Sequence, residues 1–271
     1  VRGHPVSITA LGRPDVGLIS EPEMVNNARH IARTVSLPVI ADADTGYGNA
    51  INVIHTVRDF EAAGVAGLHI EDQVAPKRCG LEAGAMLIPV EEAVGKLKAA
   101  LDARADKDFV IIGRTDAVGA SGGGLDEAIV RAKAYAAAGC DMVFANVSSA
   151  EAEQPRLFAK AVHAEFPDLP LYFNYASNHK WHESRVTFED LADMGYSAIH
   201  VSVAAFRTTM EAVWNYAVDM RERGAQAEFE RQERMAGHPM DDVAAFEGFP
   251  EIRKLEAKYL PAEDLSRMYD K

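Results

Sequence analysis

The amino-acid sequence predicts an α/β fold, specifically a (β/α)₈ barrel that ends in a C-terminal helical extension. Short segments rich in valine, isoleucine and alanine alternate with segments of helical periodicity along most of the chain. These strand–helix units repeat at roughly 25–35 residues, a spacing typical of parallel strands joined by right-handed crossovers. Polar residues follow nearly every predicted strand, and both barrels and open parallel sheets bind ligands at that end of the strands. We therefore expect the functional site at the carboxyl ends of the strands.

Six segments are predicted to be strands, with helices between them. The strands are expected at 37–42, 67–72, 109–114, 141–145, 170–174 and 198–202, and the helices at 50–64, 89–104, 125–138, 150–165 and 187–194. Pro89 is suited to opening a helix, and Gly64 and Gly139 to ending one. Residues 1–7 are a candidate for a seventh strand. Because a closed barrel needs eight strands, we expect that its first strand is missing from this chain, or that the barrel is open.

The C-terminal part of the chain differs from the repeating units. We predict a barrel over residues 1–203 and C-terminal helices over 204–271, which belong to the same domain and form an oligomer interface. A long helix at 204–223 and a polar spacer at 224–236 are expected to precede a last helix at 249–259. That helix carries its apolar residues on one stripe, which predicts docking either on a partner subunit or on the protein's own barrel.

The composition excludes several classes of partner. The chain of 271 residues has a formal net charge of −13, which disfavours binding to nucleic acid or to an anionic membrane, because both require basic patches. No apolar run approaches the roughly 18–20 residues of a membrane span. Cys79 and Cys140 are the only cysteines, so a disulfide framework is not expected and a cytoplasmic location is.

The first candidate site follows the apolar run 37–41, where Asp42 and Asp44 lie in the segment DADTGYG. Side chains alternate along a strand, so both carboxylates are expected to point the same way. Two like charges on one face are costly unless a cation lies between them, and hard oxygen ligands suit Mg²⁺. We therefore predict a Mg²⁺ site at this strand end; the alternative is a pair of solvated loop aspartates.

Two further strand ends carry polar side chains. Glu71 and Gln73 follow the second strand on one face, and Asp72 is expected to face the other way. Arg114 and Asp116 follow the third strand. Because the carboxyl ends of parallel strands meet at one edge, these side chains are expected to lie near the aspartates of the first strand.

A loop with a thiol lies between the second and third strand ends. In the segment 76–80, PKRCG, Cys79 follows two cations, which favour the thiolate and hold an anionic substrate nearby. We interpret Cys79 as functional. By contrast, Cys140 follows two alanines and a glycine and is interpreted as a small core residue.

These segments resemble the motifs of the isocitrate lyase / phosphoenolpyruvate mutase superfamily, and within it most of all those of methylisocitrate lyase and dimethylmalate lyase. The matching motifs are DADTGYG at 42–48, HIEDQ at 69–73, PKRCG at 76–80 and GRTDA at 113–117. Weaker matches are GRPDVG at 12–17, NYASNHKW at 174–181 and the final GFPEIRKLEAKYL at 248–260.

The resemblance implies a barrel that depends on Mg²⁺ (with Mn²⁺ as an alternative) and a homotetramer, a dimer of dimers whose C-terminal helices are swapped between subunits. Asp42 is implied as the direct metal ligand, with Asp44, Glu71 and Asp15 bound through water. Arg114 is implied to clamp a substrate carboxylate, a role that suits its planar fork. Further positions implied in the reaction or in substrate binding are Cys79 as proton donor, Lys77 beside it, Gly3, Gly80, Asn146, Asn174 and Ser177.

The sequence also departs from the superfamily motifs. Leu81 replaces a histidine close to the thiol, Ala85 a lysine, Asn146 a glutamate and Arg2 a serine. Loss of a histidine and a carboxylate from one pocket changes proton handling and substrate charge. Binding of Mg²⁺ and of a 2-keto acid is still expected.

The expected function is Mg²⁺-dependent cleavage of a carbon–carbon bond in a 2-hydroxy di- or tricarboxylate, such as methylisocitrate, isocitrate or dimethylmalate, with release of pyruvate or glyoxylate. Such a reaction needs electrophilic stabilisation of an enolate, a proton donor and a base; Tyr47 is the candidate base. One alternative is decarboxylation or hydrolytic cleavage of an oxaloacetate-like acid on the same scaffold. The other is a non-catalytic protein that binds keto acids.

Overall fold

The computed structural model describes residues 1–80, 82–147, 152–177 and 179–269. Leu81 and Asn178 therefore lie outside the described residues. The chain divides into two compact units, Val1–Phe206 and Arg207–Lys271. The predicted division into a barrel at 1–203 and an interface-forming extension at 204–271 stays a prediction.

The first unit is built on a sheet of six parallel strands. These are β1 (Ile40–Asp42), β2 (Gly67–Glu71), β3 (Val110–Thr115), β4 (Met142–Ala145), β5 (Leu171–Asn174) and β6 (Tyr196–His200). They pair in sequence order from β1 to β6, as expected when each connection is a right-handed crossover. The predicted parallel α/β architecture is confirmed, whereas closure into an eight-stranded barrel stays a prediction.

Thirteen α-helices are found in the described part of the chain. In the first unit they are α1 (Gly3–Val6), α2 (Glu21–Thr34), α3 (Ala50–Ala62), α4 (Val90–Ala103), α5 (Leu125–Ala138), α6 (Glu153–His163), α7 (Trp181–Ser184) and α8 (Phe188–Asp193). After them come α9 (Ala204–Arg223), α10 (Ala225–Met235), α11 (Val243–Phe246), α12 (Phe249–Tyr259) and α13 (Ala262–Tyr269).

Two sequence predictions are wrong. Residues 1–7 form no strand: Val1 alone pairs with β1, donating to the carbonyl of Ile40 at 2.7 Å, and α1 then leads into a π-helical turn at Ser7–Leu11. Pro5 explains this, because it lacks the N–H that a ladder needs and its fixed φ suits a first helical turn. The spacer predicted at 224–236 is instead α10, where good helix formers and local ion pairs such as Arg231–Glu228 at 2.7 Å stabilise a mostly polar helix.

The core lies between the sheet and the helices that cover it. The largest fully buried side chains come from both layers, among them Phe60 of α3, Leu97 of α4, Tyr135 of α5, Phe158 of α6, and Leu68, Ile111 and Leu171 of the strands. Since successive side chains on a strand alternate, Leu68 and Ile70 pack on one face of β2. His69 and Glu71 are thereby placed on the opposite face, where the site is built.

The sheet curves strongly around that inner face. The ring of Phe144 in β4 lies 5.6 Å from His69 of β2 and 6.1 Å from His200 of β6. In a flat sheet, strands two positions apart are separated by about 10 Å. The curvature therefore brings His69 of β2 and His200 of β6 to the same ring of Phe144 in β4.

The second unit buries little of its own surface. Among its described residues only Ala227 is buried. Its large exposed apolar residues include Met210, Val213, Trp214, Phe229, Phe246, Ile252, Leu255 and Tyr259. The predicted apolar stripe of α12 is thus present on an exposed helix, while its docking partner and the predicted tetramer stay predictions. None of the described helices is both long and apolar enough to cross a membrane.

Candidate active site

The end of β1 brings Asp42 and Asp44 together as predicted. The backbone turns back immediately after the strand, with Asp44 at φ 45°, and the Asp44 N–H donates to Oδ1 of Asp42 at 3.1 Å. The N–H of Gly3 donates to Oδ2 of Asp42, also at 3.1 Å. A Cβ on residue 3 would lie 2.9 Å from Oδ1 of Asp44, so only glycine permits this approach.

The register of the sheet places Arg114 beside the acidic residues. Glu71 is the direct neighbour of Arg114 across β2 and β3, and one guanidinium nitrogen lies 2.8 Å from Oε2 of Glu71. The same guanidinium is held by Asp116 through two bonds, of 3.0 and 2.9 Å. It also lies 3.7 Å from Asp42. Arg114 is therefore fixed in position before any ligand arrives.

Lys77 reaches the site from the loop after β2. Its ammonium lies 2.7 Å from Oδ1 of Asp15 and 2.7 Å from Oδ1 of Asp44, with the side chain 4% exposed. Although burial alone would lower it, the pKa of Lys77 is raised above its ordinary value by the surrounding carboxylates. Lys77 is consequently a permanent cation between two of the predicted metal-binding residues.

These groups form one charged cluster, defined as the acids Asp15, Asp42, Asp44, Glu71 and Asp116 with the cations Arg2, Lys77 and Arg114. Within the described residues, five carboxylates thus face three cations. Each acid pairs with a cation, but the acids outnumber the cations by two, and such an excess of negative charge is costly in a buried site. In addition, Oε1 of Glu71 is buried and accepts no hydrogen bond from any described residue. The donor set, all oxygen and with an excess of two charges, fits a divalent cation such as Mg²⁺.

The pKa shifts in the cluster reflect this shortage of positive charge. Burial, together with the neighbouring charge of Asp42, raises the pKa of Asp44 to about 7. Burial also raises the pKa of Glu71 well above its ordinary value, despite the contact with Arg114. Asp42 is the exception: burial opposes its ionisation, yet nearby cations including Arg2 and Arg114 hold its pKa well below the ordinary value.

His69 is a hydrogen-bonded interior residue, as interpreted from the sequence. Its Nε2 lies 2.9 Å from a guanidinium nitrogen of Arg2, and since arginine can only donate, Nε2 must accept. Its Nδ1 lies 3.4 Å from Asp42. Burial lowers the pKa of His69 well below its ordinary value, so the ring is neutral and helps to orient Arg2.

Asp72 faces away from the cluster, as predicted, and supports it from behind. It accepts hydrogen bonds from the hydroxyl of Tyr135 at 2.7 Å and from the backbone N–H of Asp116 at 3.0 Å. Arg131 of α5 pairs with it at 3.2 Å. Asp72 thereby fixes the backbone of Asp116, whose carboxylate holds Arg114.

The ends of β4, β5 and β6 carry no ionic group in the cluster and form the neutral end, defined as Asn146, Asn174 and His200. The side-chain amide of Asn174 donates to Oδ1 of Asn146 at 3.1 Å. Burial lowers the pKa of His200 to about 2, and neither of its buried ring nitrogens has a hydrogen-bond partner among the described residues. Ser177 lies further along, where its backbone N–H donates to the carbonyl of Ser202 at 3.2 Å.

Tyr47 lies in the turn after β1, at φ 54°. Its hydroxyl is buried, with no hydrogen bond to any described residue. Burial, with the charges of Asp44 and Asp42, raises the pKa of Tyr47 well above its ordinary value. The phenol is therefore strongly disfavoured as a free phenolate, and its role as base stays a prediction.

Two histidines near the site were not predicted from the sequence. His4 lies with Asp15 and Cys79 such that one ligating atom from each falls within 4.8 Å of the others. His200 ends β6, and the signal for it is that a polar residue lies at or directly after the end of every preceding strand. The position of His4 had no such signal, because it depends on the turn of α1.

The chain belongs to the phosphoenolpyruvate phosphomutase family, whose family model matches residues 4–221. This confirms the superfamily that the motifs indicated. Its curated relatives include an isocitrate lyase, a dimethylmalate lyase and methylisocitrate lyases, which confirms the prediction of a carbon–carbon lyase.

Three relatives illustrate the range of named activities. Isocitrate lyase of Haloferax volcanii is 36% identical over 261 residues, covering 96% of this chain and 76% of the relative. 2,3-Dimethylmalate lyase of Eubacterium barkeri is 49% identical over 155 residues, covering 57% of this chain and 53% of the relative. Oxaloacetate decarboxylase of Rhodopseudomonas palustris is 52% identical over 142 residues, covering 52% and 48%. The match thus spans about half the length of the last two.

Solved structures agree with the fold. A phosphoenolpyruvate phosphomutase from Streptomyces platensis subsp. rosaceus has a TM-score of 0.83 at 30% identity, covering 96% of this chain and 86% of that one. A phosphonopyruvate hydrolase in complex with oxalate and Mg²⁺ has a TM-score of 0.79 at 31% identity, covering 96% and 85%. A divalent metal is therefore consistent with both the donor set of this chain and a structural neighbour.

Proposed function

We propose that the protein is a Mg²⁺-dependent carbon–carbon lyase that cleaves a 2-hydroxy di- or tricarboxylate to pyruvate or glyoxylate plus a second carboxylate. The observation that carries the proposal is the charged cluster, which lacks two positive charges and lies beside a loop with a thiol. A bond next to a hydroxyl-bearing carbon breaks to leave a carboxylate-stabilised carbanion, and this site offers both charge stabilisation and a proton.

The acidic residues of the cluster would hold the metal, with Asp42 as the direct ligand and Asp44, Glu71 and Asp15 around it. When bound, Mg²⁺ supplies electrophilic stabilisation to the oxygens of the keto acid that forms. Asp42 suits the direct role, because its pKa is held well below the ordinary value and it stays ionised. The N–H of Gly3 lies at the same carboxylate and would orient the near side of the substrate.

Arg114 would bind a substrate carboxylate. Its guanidinium is already oriented by Asp116 and Glu71, so little conformational entropy is lost when a carboxylate binds. Lys77 would balance the charge of the bound acid. Asn174 and Ser177, at and just after the end of β5, would contact the part of the substrate that differs between the candidate acids.

Cys79 would donate the proton that completes the reaction. As the carbon–carbon bond breaks, the hydroxyl proton would pass to a base, for which Tyr47 is the candidate, and the carbonyl of the keto acid forms. The electron pair of the broken bond stays on the leaving carboxylate fragment, and the thiol proton passes to that carbon. The thiolate is then reprotonated from solvent. The half-buried position of Cys79 suits this role, since a general acid must reach the substrate and also exchange with water.

Decarboxylation or hydrolytic cleavage of oxaloacetate is the second candidate. It is favoured by the similarity to oxaloacetate decarboxylase and by the amide of Asn146 where the superfamily motif has a glutamate. An amide cannot exchange protons as a carboxylate does. A decarboxylase has less need of the thiol, and this difference separates the two candidates.

A coupled assay of keto-acid release would test the proposal. The wild-type protein and Cys79→Ser would be given Mg²⁺ with methylisocitrate, isocitrate, dimethylmalate or oxaloacetate, and Cys140→Ala would serve as the matched cysteine control. We expect turnover of one 2-hydroxy acid and a loss of about 10²–10⁴-fold in kcat for Cys79→Ser, with Cys140→Ala unchanged. Release from oxaloacetate alone, equal in both cysteine variants, would favour the decarboxylase; binding without any turnover would overturn both.

A further inference from the structure

We propose that Asn146 is a positioning residue that latches the Cys79 loop closed over the site. Its side-chain N–H donates to the carbonyl of Gly80 at 2.9 Å, the residue directly after the thiol. The assignment as proton donor of Cys79 rests on the proposed function, but the latch itself does not.

Side-chain hydrogen bonds hold the loop on both sides of Cys79. Before the thiol, Gln73 donates to the carbonyl of Arg78 and accepts from its N–H, each at 2.9 Å. At the thiol residue, the N–H of Cys79 donates to the carbonyl of Asp15 at 2.9 Å. After the thiol, the side chain of Asn146 holds the loop by donating to the carbonyl of Gly80. Cys79 is therefore positioned by two amide side chains from different strand ends.

The orientation of the Asn146 amide is fixed by its neighbour. Asn174 donates to Oδ1 of Asn146, so that oxygen is occupied as an acceptor and the nitrogen must face Gly80. Asn146 is 3% exposed, and water competes little for these bonds. The two hydrogen bonds therefore run in one direction: Asn174 donates to Asn146, and Asn146 donates to Gly80.

Gly80 allows the loop to come close enough to be latched. A Cβ at this position would lie 2.6 Å from the amide nitrogen of Asn146, 2.7 Å from Oδ2 of Asp116 and 2.9 Å from a nitrogen of Arg114. The latch therefore holds the loop directly against the residues that would bind the substrate carboxylate.

The identity of residue 146 decides whether this latch can form. An ionised glutamate, which the superfamily motif has here, offers only acceptors and would repel the Gly80 carbonyl. In this chain the amide donates instead. Closure of the loop should therefore be favoured even before a substrate binds.

Thiol reactivity measures the latch without any substrate. In a Cys140→Ala background, Cys79 would be alkylated with iodoacetamide, a small neutral reagent, across a range of pH to obtain the plateau rate of the thiolate. We expect a plateau rate at least about fivefold higher in Asn146→Asp and Asn146→Leu, the population change caused by losing one neutral hydrogen bond. Asn26→Asp, the same change on the exposed face of α2, should leave the rate unchanged.

The two variants separate loop opening from a change in thiol pKa. The plateau rate removes the thiolate fraction from the comparison, although a thiolate of higher pKa is still intrinsically more nucleophilic. Asn146→Asp adds a negative charge and Asn146→Leu does not, so a similar rise in both variants reports loop opening. Equal plateau rates in the wild type and both variants, with unchanged melting temperatures, would overturn the latch. Should Asn146→Leu fail to fold, Asn146→Ala, which also removes the donor without adding a charge, gives the same measurement.

Kinetics distinguish a latch from direct substrate contact. A latch predicts a lower kcat with KM nearly unchanged, because the thiol is misplaced while the substrate still binds. A higher KM with unchanged alkylation would instead make Asn146 a substrate contact and overturn the proposal. If no substrate is turned over, the proposed function fails, while the alkylation result still supports or overturns the latch.

Discussion

The two halves of the sheet end in opposite chemistry. β1, β2 and β3 end in the charged cluster, whose acids lie within ionic contact of Lys77 or the two arginines. The residues at the ends of β4, β5 and β6 form the neutral end, which consists of two amides and an uncharged imidazole. Both halves are built from the same strand–helix unit, so the difference comes from the residues at the strand ends and from Arg2, Asp15 and Lys77, which join the charged cluster from other segments.

The two halves of the sheet are therefore stabilised by different interactions. The charged cluster depends on electrostatic balance: it is stable only when cations neutralise its carboxylates. The neutral end depends on directed hydrogen bonds, whose individual contributions are smaller. A change in the first half should therefore alter stability and metal response, whereas a change in the second should alter geometry.

The largest expected effect follows removal of a cation from the charged cluster. Arg114→Met keeps much of the volume but leaves Asp116 and Glu71 buried without their partner, which we expect to cost about 3–5 kcal/mol of unfolding free energy. Urea unfolding without metal would measure it. Arg33→Met, the same change at an exposed position, should cost less than about 0.5 kcal/mol. If Arg114→Met lowered the unfolding free energy by less than about 1 kcal/mol, the stability of the charged cluster would not depend on its cations.

The next effect is a pH dependence that appears only without metal. The pKa of Asp44 is raised from its ordinary value of 3.8 to about 7 in the folded protein. Between these values Asp44 holds its proton in the folded state but not in the unfolded state, so its contribution to stability falls as pH rises, by up to about 1.4 kcal/mol per pH unit. Excess Mg²⁺ should abolish this slope, because it favours the ionised carboxylate. The lowered pKa values of His69 and His200 act in the opposite direction below their ordinary value of 6.5.

Urea unfolding at several pH values from about 5 to 7, with EDTA or with Mg²⁺, would measure this slope. Asp44→Asn is the matched variant: residue 44 cannot ionise in it, so in EDTA the unfolding free energy of the wild type should fall, relative to that of the variant, as pH rises. The histidines contribute equally to both proteins and cancel in this difference. Identical slopes in EDTA and Mg²⁺ would show that no cation binds among these carboxylates.

Much of the charged half could be predicted from the sequence, because its signals are local. An apolar run that ends in DAD places Asp42 and Asp44 at a strand end, and parallel crossovers bring Glu71 and Arg114 to the same edge. The sequence could not show that Lys77 lies between two carboxylates. That contact depends on how the loop folds back over the strands.

The features that could not be predicted from the sequence depend on contacts between distant residues or on weak patterns. The bond from Asn146 to Gly80 joins positions 66 residues apart, and nothing near either residue indicates it. Residues 225–235 contain only two large apolar residues, Phe229 and Met235, so periodicity gave too weak a signal to predict the helix there. Pro5 fits both a strand edge and a first helical turn, and only the fold decides between them.

The smallest expected effect lies at the neutral end. Asn174→Ala removes the donor to Asn146, which we expect to cost about 1 kcal/mol, since water can enter the space and replace the bond. The rise in melting temperature caused by Mg²⁺ should stay as in the wild type, because no charge is altered, and this comparison by thermal unfolding is the measurement. A lost Mg²⁺ response in Asn174→Ala would show that the two halves are energetically coupled, and charge balance and hydrogen-bond geometry would then not be separable between them.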